Sequence, residues 1–265
     1  MKWKELHPFI MDFNYKNPAH LFAFLMIMAS LLMFIVVPIL SYFGIFAADA
    51  TGPIENLPSD FKLFFELFVL ILQGIFVIVL LILSPYVWYT LVNKLSWKQM
   101  LERIHLHTKQ LDMALLWGII TAIAAFVFVI VLGVLLSVLG FNVEEASNIK
   151  DLELFFSTPS ILFLITLQPI AEEFFFRGFL LEKFSSLQGE LFGVFLSSLF
   201  FGMAHLSYGN LYPALMTACI GVLLAFLVVK TKNLTAAIIA HVLFNVTSFV
   251  FYLIGRELLV EALML

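Results

Sequence analysis

Charge is what this sequence has least of. Aspartate, glutamate, lysine and arginine supply 12% of the 265 residues, about half the share found in soluble domains. Apolar residues supply 63% and the mean hydropathy is +1.07. A chain of this length cannot hide that much apolar surface from water, so its solvent is lipid. Cysteine is reduced to Cys219, which excludes an intrachain disulfide and leaves the redox compartment open. No basic cluster is present and the net charge is −4, which argues against a nucleic-acid partner. Internal repeats and soluble domains are also missing. The first apolar run is too long for a cleavable signal peptide and lacks a small-residue cleavage site.

What is present is a series of uncharged runs: 19 to 48, 67 to 93, 113 to 143, 154 to 171, 191 to 229 and 233 to 255. Each reaches or approaches the roughly 20 residues that cross about 30 Å of hydrocarbon. The longest is interrupted at 207 to 213 by SYGNLYP, where Gly209, Asn210 and Pro213 supply turn chemistry. The expectation is an all-α, polytopic transmembrane bundle of about seven helices, at 20 to 46, 63 to 92, 111 to 140, 158 to 184, 190 to 206, 212 to 230 and 234 to 255. An eighth, partial segment would change the parity. Three spans in residues 1 to 150 precede a C-terminal core at 151 to 255, within one integral membrane domain. The acidic connection at 141 to 157 leaves room for a short interfacial helix.

Lysine and arginine favour cytoplasmic loops. Ten of them, including Lys2, Lys4, Lys16, Lys94, Arg103 and Lys109, fall at alternate ends that share the N-terminus, against Lys62, Lys150 and Arg256 at the others. This predicts a cytoplasmic N-terminus, and a compact chain of this kind fits a bacterial cytoplasmic membrane.

Against this background EEFFFR, at 172 to 177, is an anomaly. A charge near the bilayer centre costs about 3 kcal/mol, so the hexapeptide forfeits roughly 8 kcal/mol unless its charges are compensated. Glu173 and Arg177 are four apart and share a helix face, acid before base, which suits an ion pair. Glu172 points about 100° away and needs a partner from another helix. His205 on the fifth span, and His241 with Asn245 on the seventh, are the candidates. Counted at about 1.5 Å per residue from the Lys-rich ends, Glu172 lies about 18 Å deep, His205 about 22 Å and His241 about 10 to 16 Å. One polar cavity within the membrane can hold them all.

A carboxylate and a histidine can hold and deprotonate water, and a second histidine with a carboxamide can donate to an oxyanion. That equipment hydrolyses amides. Glu172, His205 and His241 could instead bind zinc with an open position for water, although HExxH is absent. The bland readings are a packing histidine, a structural Glu–Arg clamp and asparagine as interhelical glue. His7, His20, His105 and His107 fall in or near the Lys-rich loops as solvated residues. Gln168, one turn before Glu172, either lines the cavity or satisfies the kink at Pro169, and Pro38 and Pro85 should kink their helices too. Gly193, Gly202 and Gly221 suit close helix contacts. The 31 phenylalanines fit lipid contact or core filling.

EEFFFR resembles the EExxxR motif, FGMAH (201 to 205) the FxxxH motif and HVLFN (241 to 245) the HxxxN motif of the CPBP intramembrane proteases, relatives of the type II CAAX prenyl protease that are also called the Abi family. The resemblance covers about residues 155 to 255; the first three spans match only as membrane helices. It implies a proteolytic core around a polar cavity, with Glu172 activating water, His205 assisting, His241 and Asn245 stabilising the oxyanion, and Glu173 and Arg177 in support. No motif position departs from the pattern. It also implies peptide or membrane-protein substrates, with leader, signal or bacteriocin-related peptides ahead of prenylated ones. Asn245 beside His241 favours metal-independent glutamate catalysis without a cofactor over the zinc version. The competing classes are a non-enzymatic immunity or scaffold protein that binds a peptide or receptor, and a proton-coupled transporter, for which the paired broken helices are lacking.

Overall fold

The computed structural model describes residues 12–45, 58–107, 110–140, 152–153, 155–206 and 211–264. The expected turn at 207 to 210, most of the acidic connection at 141 to 157, and Lys2, Lys4, His7, Lys109 and Lys150 lie outside them. Eight helices organise the described chain. Six are long and apolar enough to cross a bilayer: α1 (Pro18–Tyr42), α2 (Phe61–Leu91), α4 (Leu111–Val138), α5 (Thr158–Gln188), α7 (Leu211–Thr231) and the membrane part of α8 (Leu234–Arg256). The apolar α6 (Glu190–Ala204) is shorter. At about 1.5 Å per residue it runs about 22 Å, so a chain entering at one face stops inside the membrane. The multi-pass helical bundle therefore has the expected seven hydrophobic segments. A further short helix, α3 (Trp97–Arg103), was not signalled by hydropathy; a capping box between Ser96 and Gln99 starts it.

Helices α5 and α7 form the centre, with 56% and 50% of their apolar windows buried against 17% for α4. The N-terminal spans turn faces such as Phe64, Phe68, Ile71 and Ile75 outward, where lipid covers them. Between α5 and α6 the chain turns at Gly189, whose φ of 92° suits a residue without Cβ. Pro213 stands in the first turn of α7 rather than in the preceding turn, where its missing N–H costs nothing.

The prolines at 38 and 85 each follow a π-helical turn, Leu32–Val36 in α1 and Ile78–Leu83 in α2. A proline ring clashes with the carbonyl four residues back and donates no hydrogen bond, and wider winding relieves both problems. In α2 the Ser84 N–H bonds to Val79 O, which frees the Leu80 carbonyl. Ser84 Oγ donates to it at 2.6 Å and Ser30 Oγ from α1 at 2.7 Å. The freed backbone group thus ties two spans together where no water can reach it.

Gly202 sets the α6–α7 contact. A Cβ there would lie 2.6 Å from Ala218 Cβ and 2.7 Å from the Ala214 carbonyl oxygen. Gly202→Val should cost about 1–3 kcal/mol by overpacking and displace His205 three residues on. A thermal midpoint in nanodiscs equal to wild type would refute this tight crossing.

Candidate active site

The charges of EEFFFR sit where α5 changes its winding. Glu172 and Glu173 close an α-helical stretch, and Phe174–Leu180 continues as a π-helical turn whose residues are all buried. Such widened turns recur at functional sites. Glu173 and Arg177 form the expected pair: Arg177 Nη1 donates to Glu173 Oε1 at 2.6 Å, with both side chains fully shielded. The guanidinium carbon also lies 4.0 Å from the centre of the Phe201 ring, an arrangement that stabilises a desolvated cation. Gly221 leaves the room for it, since a Cβ there would stand 3.2 Å from Arg177 Nη2.

Two details differ from the sequence expectation. Glu172 does have a partner on its own helix: Gln168 Nε2 donates to Glu172 Oε1 at 2.7 Å. In addition, the carboxylate nearest His241 belongs to Glu173. His241 Nδ1 donates to Glu173 Oε1 at 2.8 Å, while Nε2 lies 3.8 Å from Glu172 Oε2. An imidazole has nitrogens on opposite edges, so one ring from α8 spans two carboxylates that diverge by about 100° on α5. Glu173 therefore both neutralises Arg177 and sets the orientation and tautomer of His241.

His205 follows the last residue of α6, and its Nδ1 lies 2.7 Å from the Phe201 carbonyl oxygen. A carbonyl only accepts, so Nδ1 carries the hydrogen and a neutral ring presents Nε2 as an acceptor. The Phe201 ring, 4.7 Å from His205 and 5.6 Å from His241, packs edge-on to both. One aromatic residue thus braces Arg177 and both histidines.

Glu172, His205, His241 and Asn245 all line one cavity of about 440 Å³. Glu173 and Arg177 lie behind its wall. Residues of the N-terminal half complete the lining, among them Met33, Phe34, Pro38 and Ser41 from α1 and Gln73 from α2. The cavity thus draws on both sides of the division at residue 150.

Gln73 was missed by sequence reasoning, because a lone glutamine in an apolar helix has no motif to mark it. Its Nε2 donates to Gln168 Oε1 at 3.1 Å. The directions follow from the end of the chain: the ionised Glu172 only accepts, so Gln168 presents its NH₂ there and its oxygen to Gln73. Gln73→Leu would leave that oxygen unpaired in a largely apolar wall, at a cost of about 1–3 kcal/mol. Turnover should fall about tenfold as Glu172 loses its fixed position, and Gln73→Glu should do no better, because an ionised carboxylate cannot donate. Unchanged kcat in Gln73→Leu would show that the amide chain does not hold Glu172.

Among the described residues the remaining histidines are less exposed than expected. His20 is buried and accepts from the Asn14 N–H at 3.0 Å, and His105 and His107 are half-buried. Among the described residues no group of three or more His, Cys, Asp or Glu side chains is arranged to hold a metal ion. Glu172, His205 and His241 do not form such a group, and His241 gives one ring nitrogen to Glu173 while the other stands 3.8 Å from Glu172.

Searches of curated proteins and of solved structures returned no match. Residues 154–247 match the family model described as type II CAAX prenyl endopeptidase, Rce1-like. The matched segment begins just before α5 and ends two residues beyond Asn245, so it contains all three motifs and both buried carboxylates. Over that third of the chain it is similar to the CPBP and CAAX proteases, a family of intramembrane proteases.

Proposed function

We propose that this protein is an intramembrane endopeptidase of the glutamate type, acting on the peptide bonds of membrane-associated polypeptides. The reading rests on one observation above all: a carboxylate, two imidazoles and a carboxamide line a single cavity, with one imidazole locked by a second carboxylate. Glu172, held by Gln168, takes a proton from water as its oxygen attacks the scissile carbonyl. His205 assists through Nε2, the acceptor left by its bond to the Phe201 carbonyl. The carbonyl oxygen gains negative charge and receives hydrogen bonds from Asn245 and from His241 Nε2. Glu173 balances the second proton that His241 carries when it donates there. As the C–N bond breaks, the proton taken by Glu172 passes to the leaving amine.

The charge count supports His241 in this role. Glu172 and Glu173 bring two carboxylates against the single guanidinium of Arg177, so the cluster can balance a cation that forms on His241 as it donates. Asn245→Ala should lower kcat about 10²- to 10³-fold, the usual loss for an oxyanion donor.

The test is a comparison of membrane peptidomes from cells carrying wild-type protein or His205→Ala at equal levels. A set of fragments should vanish in the variant, with their uncut precursors accumulating. Identical peptidomes would sink the reading and return attention to an immunity or scaffold protein.

A further inference from the structure

The contacts between helix ends sort the bundle into two faces. At one, Arg103 pairs with Glu182 at 2.6 Å, Lys183 donates to Asn93 at 3.1 Å and Lys232 pairs with Glu190 at 2.9 Å. These bonds gather the ends of α2 and α5, the start of α6 and the link between α7 and α8. At the other, Glu66 accepts from the Ser157 N–H at 3.0 Å and from Ser160 Oγ, and Glu153 accepts from Arg256 at 2.6 Å. Among the described residues the first face carries seven lysines and arginines, the second only Lys62 and Arg256. The Lys- and Arg-rich face of a membrane protein is cytoplasmic.

The cavity is not placed symmetrically between these faces. From the basic face, its first lining residue comes 15 residues into α1 (Pro18 to Met33), 12 into α5 (Gln188 to Phe176) and 11 into α6 (Glu190 to Phe201). Even in α8 it comes 7 residues in, from Leu234 to His241, or about 10 Å at 1.5 Å per residue. At the opposite face the lining includes Ser41, which adjoins the last residue of α1, and Leu152, which precedes α5. The cavity therefore reaches the face that is poor in positive charge and stops short of the basic one.

We infer that this site is loaded from the extracytoplasmic side, so that its substrates are exported peptides or the outward segments of membrane-anchored proteins. The inference rests on the proposed peptidase for its chemistry, but the direction of access stands on charge and cavity position alone. A polypeptide presented from the cytoplasm meets the packed end of the bundle, where Lys183 and Phe179 are buried. One entering from outside passes Ser41 and Ser248 before it reaches Asn245, His241 and Glu172.

The experiment is thiol labelling of the full chain in spheroplasts, in a Cys219→Ser background, with a membrane-impermeant sulfonated maleimide. Ser41→Cys and Ser248→Cys report on the cavity, and Trp97→Cys, at the exposed start of α3, on the basic face. Both cavity cysteines should be modified in intact spheroplasts, and the Trp97→Cys protein only after the membrane is opened. The inference is overturned if the cavity cysteines react only after opening or not at all, or if the Trp97→Cys protein reacts beforehand. Labelling needs no turnover, so a reversed pattern leaves the peptidase reading standing. An outward cavity in a protein with unchanged peptidomes would remove the peptidase and keep the access.

Discussion

Glu172→Gln should abolish measurable proteolysis, with kcat reduced about 10³- to 10⁴-fold, without lowering the thermal midpoint of the protein. General-base catalysis contributes up to about 10⁴-fold, and a carboxamide cannot accept the proton that water must give up. The volume is unchanged, so no cavity opens in the wall. The carbonyl of the new side chain still accepts the hydrogen from Gln168, so the amide chain through Gln73 keeps its direction. Removing one buried negative charge relieves its desolvation cost, while Gln168 keeps its acceptor. A midpoint equal to or above wild type, with activity gone, is the signature of a residue kept for chemistry at the expense of stability. Purified Glu172→Gln that still cuts substrate at a tenth of the wild-type rate or more would remove Glu172 as the base. Retained biological protection in the inactive variant would instead point to a binding role.

The spans were readable because the bilayer imposes one rule on every helix, and the seven hydrophobic segments fall within a few residues of their expected bounds. The Glu173–Arg177 pair was readable for a similar reason: i,i+4 spacing is a property of one helix and needs no knowledge of its neighbours. The bond from His241 to Glu173 was not readable. A helical wheel gives directions around α5 but not the rotation of α8, and that rotation decides which carboxylate an incoming ring meets first. Gln168 was in view, yet its role depends on Gln73, 95 residues away and on a helix with no motif. His20 was read as solvated because it lies near a Lys-rich loop, whereas its ring is covered and accepts a backbone hydrogen bond from Asn14. The serines at 30 and 84 were passed over because a π-helical turn is set by the demands of a proline and leaves no residue pattern of its own.

Arg177→Met should be the most destabilising single change in the core, at about 3–5 kcal/mol, and Glu173→Gln in the same background should recover most of that loss. The arginine meets the charge of Glu173 at 2.6 Å, beside the His241 nitrogen at 2.8 Å, in surroundings that exclude water. Deleting it leaves that carboxylate with the His241 imidazole as its donor, and removing one partner of a buried ion pair is strongly destabilising. Removing both charges leaves an apolar side chain against Phe201 and a neutral amide that still accepts from His241 Nδ1, so folding no longer depends on either ion. Catalysis should not return with stability. In the double variant Glu173 no longer offsets the second proton on His241, so the ring donates poorly to the oxyanion and kcat should stay about 10²-fold or more below wild type. Unfolding midpoints and turnover numbers for the two single variants and the double variant complete a double-mutant cycle. Joint recovery of midpoint and turnover would assign the pair to structure alone. Recovery of the midpoint without turnover would assign Glu173 to the positioning of His241, and the burial of a whole ion pair in this membrane protein would then serve the imidazole beside it.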